Sequence, residues 1–210
     1  MNLILATSSQ GKITEFRRIL RGYFSSVQGI DIFGIRSEPD ENGMSFSENA
    51  KIKLDFYLKK IKEVKATEAD INECYIMSED SGIEIDELGG NPGIKSARYG
   101  HPDMPSPERN KLVLHQLKDT SSSNRKARFV CYIRFSDFIA EDHQEFSGQC
   151  EGKISKIISG KNGFGYDPIF IPLGYNKSMG NLSDNEKDKI SHRGRACKGL
   201  INYLFKNHEN

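Results

Sequence analysis

Two hydrophobic periods divide the chain into alternating elements. Residues 2–6 form a short apolar run, Thr7-Ser8-Ser9-Gln10-Gly11 is polar or glycine, and Lys12, Ile13, Phe16, Ile19 and Leu20 recur at helical spacing. This predicts a buried strand, a polar turn and a helix. A second strand is expected over 30–35 and a polar loop over 38–43. Phe46, Ala50, Leu54, Tyr57, Leu58 and Ile61 share one face of a helix predicted over 46–61, and Ser45 with Glu48 has capping-box spacing at its start. A charged loop over 65–73 leads to Tyr75, Ile76 and Met77, a short strand ended by Glu79-Asp80-Ser81-Gly82. Gly82 reads there as a sharp turn, and Gly89-Gly90 with Pro92-Gly93 as a second, longer one.

The second half follows the same grammar. Ser106-Pro107-Glu108 starts a helix with proline in its first turn, and 119–126 is a hydrophilic connection. Over 127–138, Phe129, Cys131, Ile133 and Phe135 alternate with Arg128, Tyr132 and Arg134, and a second extended run over 144–154 can pair with it as an antiparallel ribbon. Residues 160–172, GKNGFGYDPIFIP, form a glycine-rich loop that returns to apolar character at Ile169. Ser183-Asp184-Asn185-Glu186 is another capping box, and Ile190, Cys197, Leu200, Ile201 and Leu204 give the C-terminal helical region its core stripe. Half-buried long strands of the kind read over 127–138 and 144–154 suit a mixed sheet.

Composition narrows the classes. A chain of 210 residues is read as one domain over 1–210. Thirty basic and twenty-nine acidic side chains leave a net charge of +1, so no overall field draws it to nucleic acid or anionic lipid, and any bound anion needs a local cluster. No apolar run approaches the ~20 residues that span a bilayer, and the N-terminus shows no basic leader pattern. A cytoplasmic protein with neither membrane nor nucleic acid as partner is expected. Cys74, Cys131, Cys150 and Cys197 form no CxxC pair, which argues for free thiols rather than zinc.

The candidate chemistry lies in the loops. A hydroxyl and glycine turn at a helix N-terminus, with Lys12 beside it, offers N–H donors, the helix dipole and a cation to a phosphate. Glu48, Glu79 and Asp80 are oxygen donors of the kind magnesium prefers. Lys12, Lys53, Lys177, Lys187 and Arg193 can offset triphosphate charge. Phe164, between two glycines, either stacks on a base or packs under a tight turn. Ser191-His192-Arg193-Gly194 reads as a helix restart offering donors. Together these suggest metal-assisted hydrolysis of a nucleotide anhydride.

Ordered motifs sharpen this reading. The segment from Thr7 to Lys12, Ser45-Phe46-Ser47-Glu48-Asn49-Ala50 with Lys53, Glu79-Asp80-Ser81-Gly82 running on to Pro92-Gly93-Ile94 and Ser96-Ala97-Arg98-Tyr99, Gly163-Phe164-Gly165-Tyr166-Asp167-Pro168 and Ser191-His192-Arg193-Gly194 resemble, in order and spacing, the inosine triphosphate pyrophosphatase family. The resemblance implies an elongated α/β fold with a mixed central sheet, helices on both faces, two lobes around a substrate cleft, and a homodimer. It implies magnesium-dependent hydrolysis of ITP, dITP and XTP to monophosphate and pyrophosphate, cleansing the nucleotide pool. By motif, Asp80 matches the proton acceptor and a metal contact, with Glu48 and Glu79 supporting the metal. Thr7, Ser8, Ser9, Gln10, Gly11, Lys12, Lys53, Ser81, Lys187, His192 and Arg193 match substrate-binding positions, and Phe164, Gly165, Tyr166 and Asp167 the base-pocket segment. Ser9 stands where the family usually has asparagine, Glu79 where bacterial members commonly have aspartate, and Asn181 where an acidic residue is frequent. Related pyrophosphatases acting on pyrimidine or modified nucleotides lack the Ser-His-Arg-Gly ending.

Overall fold

The computed structural model describes residues 1–64, 74–138 and 143–208. Its strands β1 (Asn2–Leu5), β2 (Ser26–Gly29), β3 (Cys74–Ile85), β4 (Lys126–Asp137), β5 (His143–Ile154) and β6 (Phe170–Pro172) form one sheet in the order β2-β1-β3-β4-β5-β6. β1 is parallel to β2 and β3, and β5 is antiparallel to β6, so the sheet is mixed as expected. The helices are α1 (Gln10–Ile19), α2 (Phe46–Glu63), α3 (Ser106–Gln116), α4 (Asp184–Ile190) and α5 (His192–His208). The chain divides into two compact units: Met1–Asp80 with Cys131–Ser147 and Ala196–Asn210, and Ser81–Val130 with Gly148–Arg195. The predicted charged loop over 65–73 lies outside the described residues.

In the first unit, alternation along the strands builds a core on each face of the sheet. Leu3 and Leu5 of β1 join Met77, Ile13 and Phe16 of α1, and Leu200. Ile4 and Ala6 join Ile76 with Leu54, Tyr57 and Ile61 of α2. A strand covered on both sides reads as a continuous apolar run because neither parity is polar, and this is why residues 2–6 show no alternation. The second unit has its own core, in which Ile83, Ile85, Val113, Phe129, Ile154 and Phe170 are buried. Phe129 and Phe170 meet edge to face at 4.8 Å between ring centres, a favoured aromatic geometry.

Three expectations give way to the structure. The strand placed over 30–35 is a 3-10 turn, Ile30–Phe33, closed by Gly34 at φ 68°. The pairing is made one segment earlier, where Ser26, Val27, Gln28 and Gly29 face Asn2, Leu3, Ile4 and Leu5. β2 ends the sheet, so it is half-exposed and carries no clear apolar signal. No turn forms at Gly82 either. β3 continues through it because Ile83 and Ile85, both fully buried, extend the strand into a second core. At Ser45 only half a capping box forms: its hydroxyl accepts the Glu48 N–H at 3.2 Å, but the Glu48 carboxylate takes the Met44 N–H at 2.7 Å.

The box at Ser183 and Glu186 is complete. Donation from the Ser183 backbone and hydroxyl, then from Lys177, holds the Glu186 carboxyl down to about 2. The predicted restart also forms: Ser191, extended at φ −65° and ψ 157°, ends α4, and its hydroxyl accepts the Gly194 N–H at 3.0 Å. A methyl group on Gly194 would overlap the Asp188 carbonyl. Gly194→Ala is therefore expected to cost about 1–3 kcal/mol, seen as a lower urea midpoint with an unchanged m-value.

Candidate active site

Period-two geometry gives the adjacent carboxylates of β3 different neighbours. Glu79 shares a face with Met77, where Lys12 Nζ of α1 lies 2.7 Å from its Oε2 and the Cys131 thiol donates to Oε1 at 3.7 Å. Asp80 shares a face with Ile76, against α2. There Lys53 Nζ lies 2.7 Å from Asp80 Oδ1 and 2.9 Å from Glu41 Oε2, and donates to the Glu79 carbonyl at 3.2 Å. Asn49 Nδ2 donates to Asp80 Oδ2 at 3.2 Å, while its own Oδ1 accepts the Gly43 N–H at 2.9 Å. Each carboxylate thus has a lysine on its own side of the strand.

Burial works to lower the Lys53 pKa, but Asp80, Glu41 and Glu79 outweigh it and lift it above the ordinary lysine value. Asp80 is lifted too: burial is the largest cause, Glu79 adds to it, and Lys53 and Lys12 oppose it without cancelling it. The two directions agree. One ammonium shared between two carboxylates holds its proton firmly and lends each only part of its field.

The turn before α1 uses part of its donor set internally: the Thr7 N–H donates to the Leu5 carbonyl at 2.7 Å and the Ser9 N–H to the Thr7 hydroxyl at 3.2 Å. Ser8, Ser9, Gln10 and Gly11 are exposed, with Thr7 and Lys12 half-buried. Ser9 sits at the helix N-cap without a side-chain bond to it, and the first turn holds no acidic residue to offset the dipole. Capping, the commoner use of such a turn, is therefore not what Ser9 does. Ser8 Oγ donates to Glu38 Oε1 at 2.6 Å.

The three nominated metal ligands are not brought together. Glu48 turns to Met44, Glu79 lies on the opposite face of β3 from Asp80, and among the described residues no group of three His, Cys, Asp or Glu side chains could share an ion. Magnesium asks less than that when phosphate is present: one or two carboxylates, with waters and phosphate oxygens completing its shell. Asp80 has the donor chemistry for that demand.

The second unit gathers the remaining nominated residues around the glycine loop. Asp167 Oδ2 accepts both the Phe164 N–H and Lys187 Nζ at 2.8 Å, with both charged side chains 4% exposed. Gly163, at φ 74°, leaves room for that carboxylate, which a Cβ would strike. Phe164 is neither a free platform nor a packed core ring: it is 38% exposed, with Lys187 Nζ 5.2 Å and Arg193 Cζ 5.0 Å from its centre, a cation–π arrangement. Arg193 also donates to Ser81 Oγ at 2.7 Å, and His192 stacks on Phe129 at 4.7 Å and 9°. Asn110 donates to the Gly165 carbonyl at 3.1 Å, and the buried Tyr166 hydroxyl, its pKa pushed up by burial, donates to the Ser96 carbonyl at 2.9 Å. Asn181, one of the departures, donates to both Ser159 Oγ and Ser178 Oγ and so ties two separate loops together.

Residues 3–203 match the sequence model of the Ham1 family. The chain belongs to the Ham1 family. It is 37% identical over 203 residues to the dITP/XTP pyrophosphatase of Bacillus subtilis, with 96% of each protein covered. Against the dITP/XTP pyrophosphatase of Caldanaerobacter subterraneus it is 35% identical, covering 98% of this chain and 97% of that one. Among solved structures, the Staphylococcus aureus Ham1 protein matches with a TM-score of 0.81 at 32% identity, over 99% of this chain and 100% of the other. A Mycobacterium abscessus structure described as nucleoside-triphosphatase / dITP/XTP pyrophosphatase matches at 0.68 and 31%, over 96% and 99%. The resemblance drawn from the ordered motifs holds.

Sequence reasoning missed part of this Ham1 site. Asn49 and Ser96 lie inside the ordered motifs, and that membership is the signal that marks them. Glu41, Asn110 and Phe129 carry none, because contact between distant segments is what makes them relevant.

The shared ammonium yields a test in metal-free buffer. Lys53→Met leaves Asp80 and Glu41 without it and is expected to cost about 3 kcal/mol at neutral pH, the deficit in urea unfolding shrinking as acid neutralises both carboxylates. Asp80→Asn behaves oppositely. Because the folded pKa of Asp80 is raised, its ionisation opposes folding as pH climbs through that value, so the asparagine variant should be at least as stable as the parent at neutral pH.

Proposed function

We propose that this Ham1 protein hydrolyses ITP, dITP and XTP to the nucleoside monophosphate and pyrophosphate, with Asp80 as proton acceptor. The observation that carries the reading is the buried Asp80 carboxylate, fixed on one oxygen by Lys53 and on the other by Asn49. Its raised pKa makes it a stronger base than an ordinary aspartate. The family and the dITP/XTP pyrophosphatases among its relatives support the substrate class.

In the proposed reaction the oxygen of water bonds to phosphorus, the α–β anhydride bond breaks, and pyrophosphate leaves. The proton released by water goes to Asp80 Oδ2, the oxygen that Asn49 holds in place. Lys12 and Lys53 offset phosphate charge, and the Thr7, Ser8, Ser9, Gln10 and Gly11 turn presents donors at the N-terminus of α1. Magnesium is the proposed cofactor: Asp80 would hold it together with waters and phosphate oxygens, Glu48 and Glu79 being turned to Met44 and Lys12, and when bound it would polarise a phosphoryl oxygen and acidify water.

Ser81 follows Asp80 directly on β3, and we assign it with Arg193, His192, Lys187 and the segment Phe164, Gly165, Tyr166 and Asp167 to the nucleoside end. Donors aimed at a 6-oxo group are left unpaired by adenine, whose amino group offers no acceptor there, and this gives strong discrimination. A homodimer working in the cytoplasm completes the proposal. No helix among the described residues is long and apolar enough to cross a membrane.

A panel of ITP, dITP, XTP, GTP and ATP, with and without magnesium and read by pyrophosphate release, tests the assignment. Release from the first three with magnesium supports it, whereas turnover of dTTP or UTP in their place overturns it. Asp80→Asn is expected to lower kcat by about 10²–10⁴, and unchanged turnover would remove Asp80 from the chemistry.

A further inference from the structure

A cavity of about 580 Å³ in the second unit contains none of the residues that the proposed reaction uses; of the cations nominated from the sequence for a triphosphate, Lys177 alone lines it. Arg125, Lys153, Lys156 and Lys177 line it, and no Asp or Glu is among the lining residues. Arg125 is the unusual member. It is 2% exposed, and its guanidinium donates to three main-chain carbonyls, those of Ile154 at 3.0 Å, Ser155 at 2.7 Å and Leu117. Those carbonyls satisfy hydrogen bonds but carry only partial charge. The end of α3, where Leu117 lies, offsets part of the cation through the helix dipole. Among the described residues no carboxylate completes the compensation, and burial lowers the Arg125 pKa.

A buried cation without a carboxylate raises the potential of the cavity beside it. Lys153 and Lys156 are exposed and add to that potential, whereas Lys177 is partly engaged by Glu186 at 3.3 Å. Ser122 and Asn176 offer donors at the rim, while Ile157 and Ile171 add apolar wall. The volume lies within the range of small-molecule sites, roughly 300–1,000 Å³, and exceeds what a single phosphate fills.

We propose that this pocket binds a phosphorylated small molecule, its phosphate facing Arg125, Lys153 and Lys156 and its organic part resting on Ile157 and Ile171. The inference stands apart from the hydrolytic reaction and does not depend on it.

Titration of ¹⁵N-labelled protein with pyrophosphate and, separately, with inosine monophosphate, at ionic strength held constant with sodium chloride, tests it. Saturable amide shifts are expected over 153–159 and 176–178. In the Lys153→Gln/Lys156→Gln variant the apparent Kd should be about tenfold weaker, with nucleotide turnover unchanged. Tighter binding of the monophosphate than of pyrophosphate identifies an organic phosphate as the ligand class and supports the proposal in full. Equal or tighter binding of pyrophosphate keeps the anion site and overturns the role given to the isoleucines. Absence of saturable shifts in these segments with either probe, or identical shifts in the variant, overturns the site itself. The readout is independent of hydrolysis, so failure of the proposed activity and failure of the pocket are distinguishable.

Discussion

Neighbouring like charges cost least when the backbone carries them to opposite sides, and β3 does this with Glu79 and Asp80 by parity alone. Lys12 answers one and Lys53 the other. Such an arrangement needs a helix on each face of the strand, and α1 and α2 supply them through the same alternation that sorts Leu3 and Leu5 from Ile4 and Ala6. Core packing and site geometry in the first unit are therefore one problem with one solution. A shift of β3 by a single residue would exchange both the buried apolar set and the lysine partners.

The second unit also keeps charge where water is scarce. Lys187 and Asp167 are 2.8 Å apart and nearly fully buried. Such a pair is weak evidence for stability, since desolvation consumes most of the attraction and well-packed apolar residues serve as well or better. Its structural effect is local: the ammonium also stands by Phe164, and the carboxylate shapes the Phe164 loop. A C-terminal basic face that ordinarily would be solvated is here buried at Lys187, His192 and Arg193, whereas Arg195 and Lys198 remain exposed.

What could be read from the sequence followed from the strength of local signals. Helices with wide apolar stripes, such as α2, and the alternating β4 were legible because period and length agree. β2 was not, since an edge strand of Ser26, Val27, Gln28 and Gly29 offers no alternation and Ile30 beside it is a stronger attractor. Gly82 misled for a related reason: glycine marks a turn only where the apolar pattern stops, and here it resumes at Ile83. Motif order nominates candidate site residues, but their partners come from elsewhere in the chain. The face of β3 that each carboxylate takes, the sharing of Lys53 with Glu41, and the placing of two cations by Phe164 are properties of packing that no local window contains.

Asp167 accepts from both a loop amide and a lysine twenty residues further along. The shape of the 163–167 turn is consequently tied to where the Lys187 ammonium points. An anion that drew the ammonium away would break the Lys187–Asp167 bond and leave Oδ2 to the Phe164 N–H alone. By reciprocity, ordering of the turn alters the affinity for that anion by the same factor. A single carboxylate thus lets a backbone conformation and an electrostatic balance report on each other.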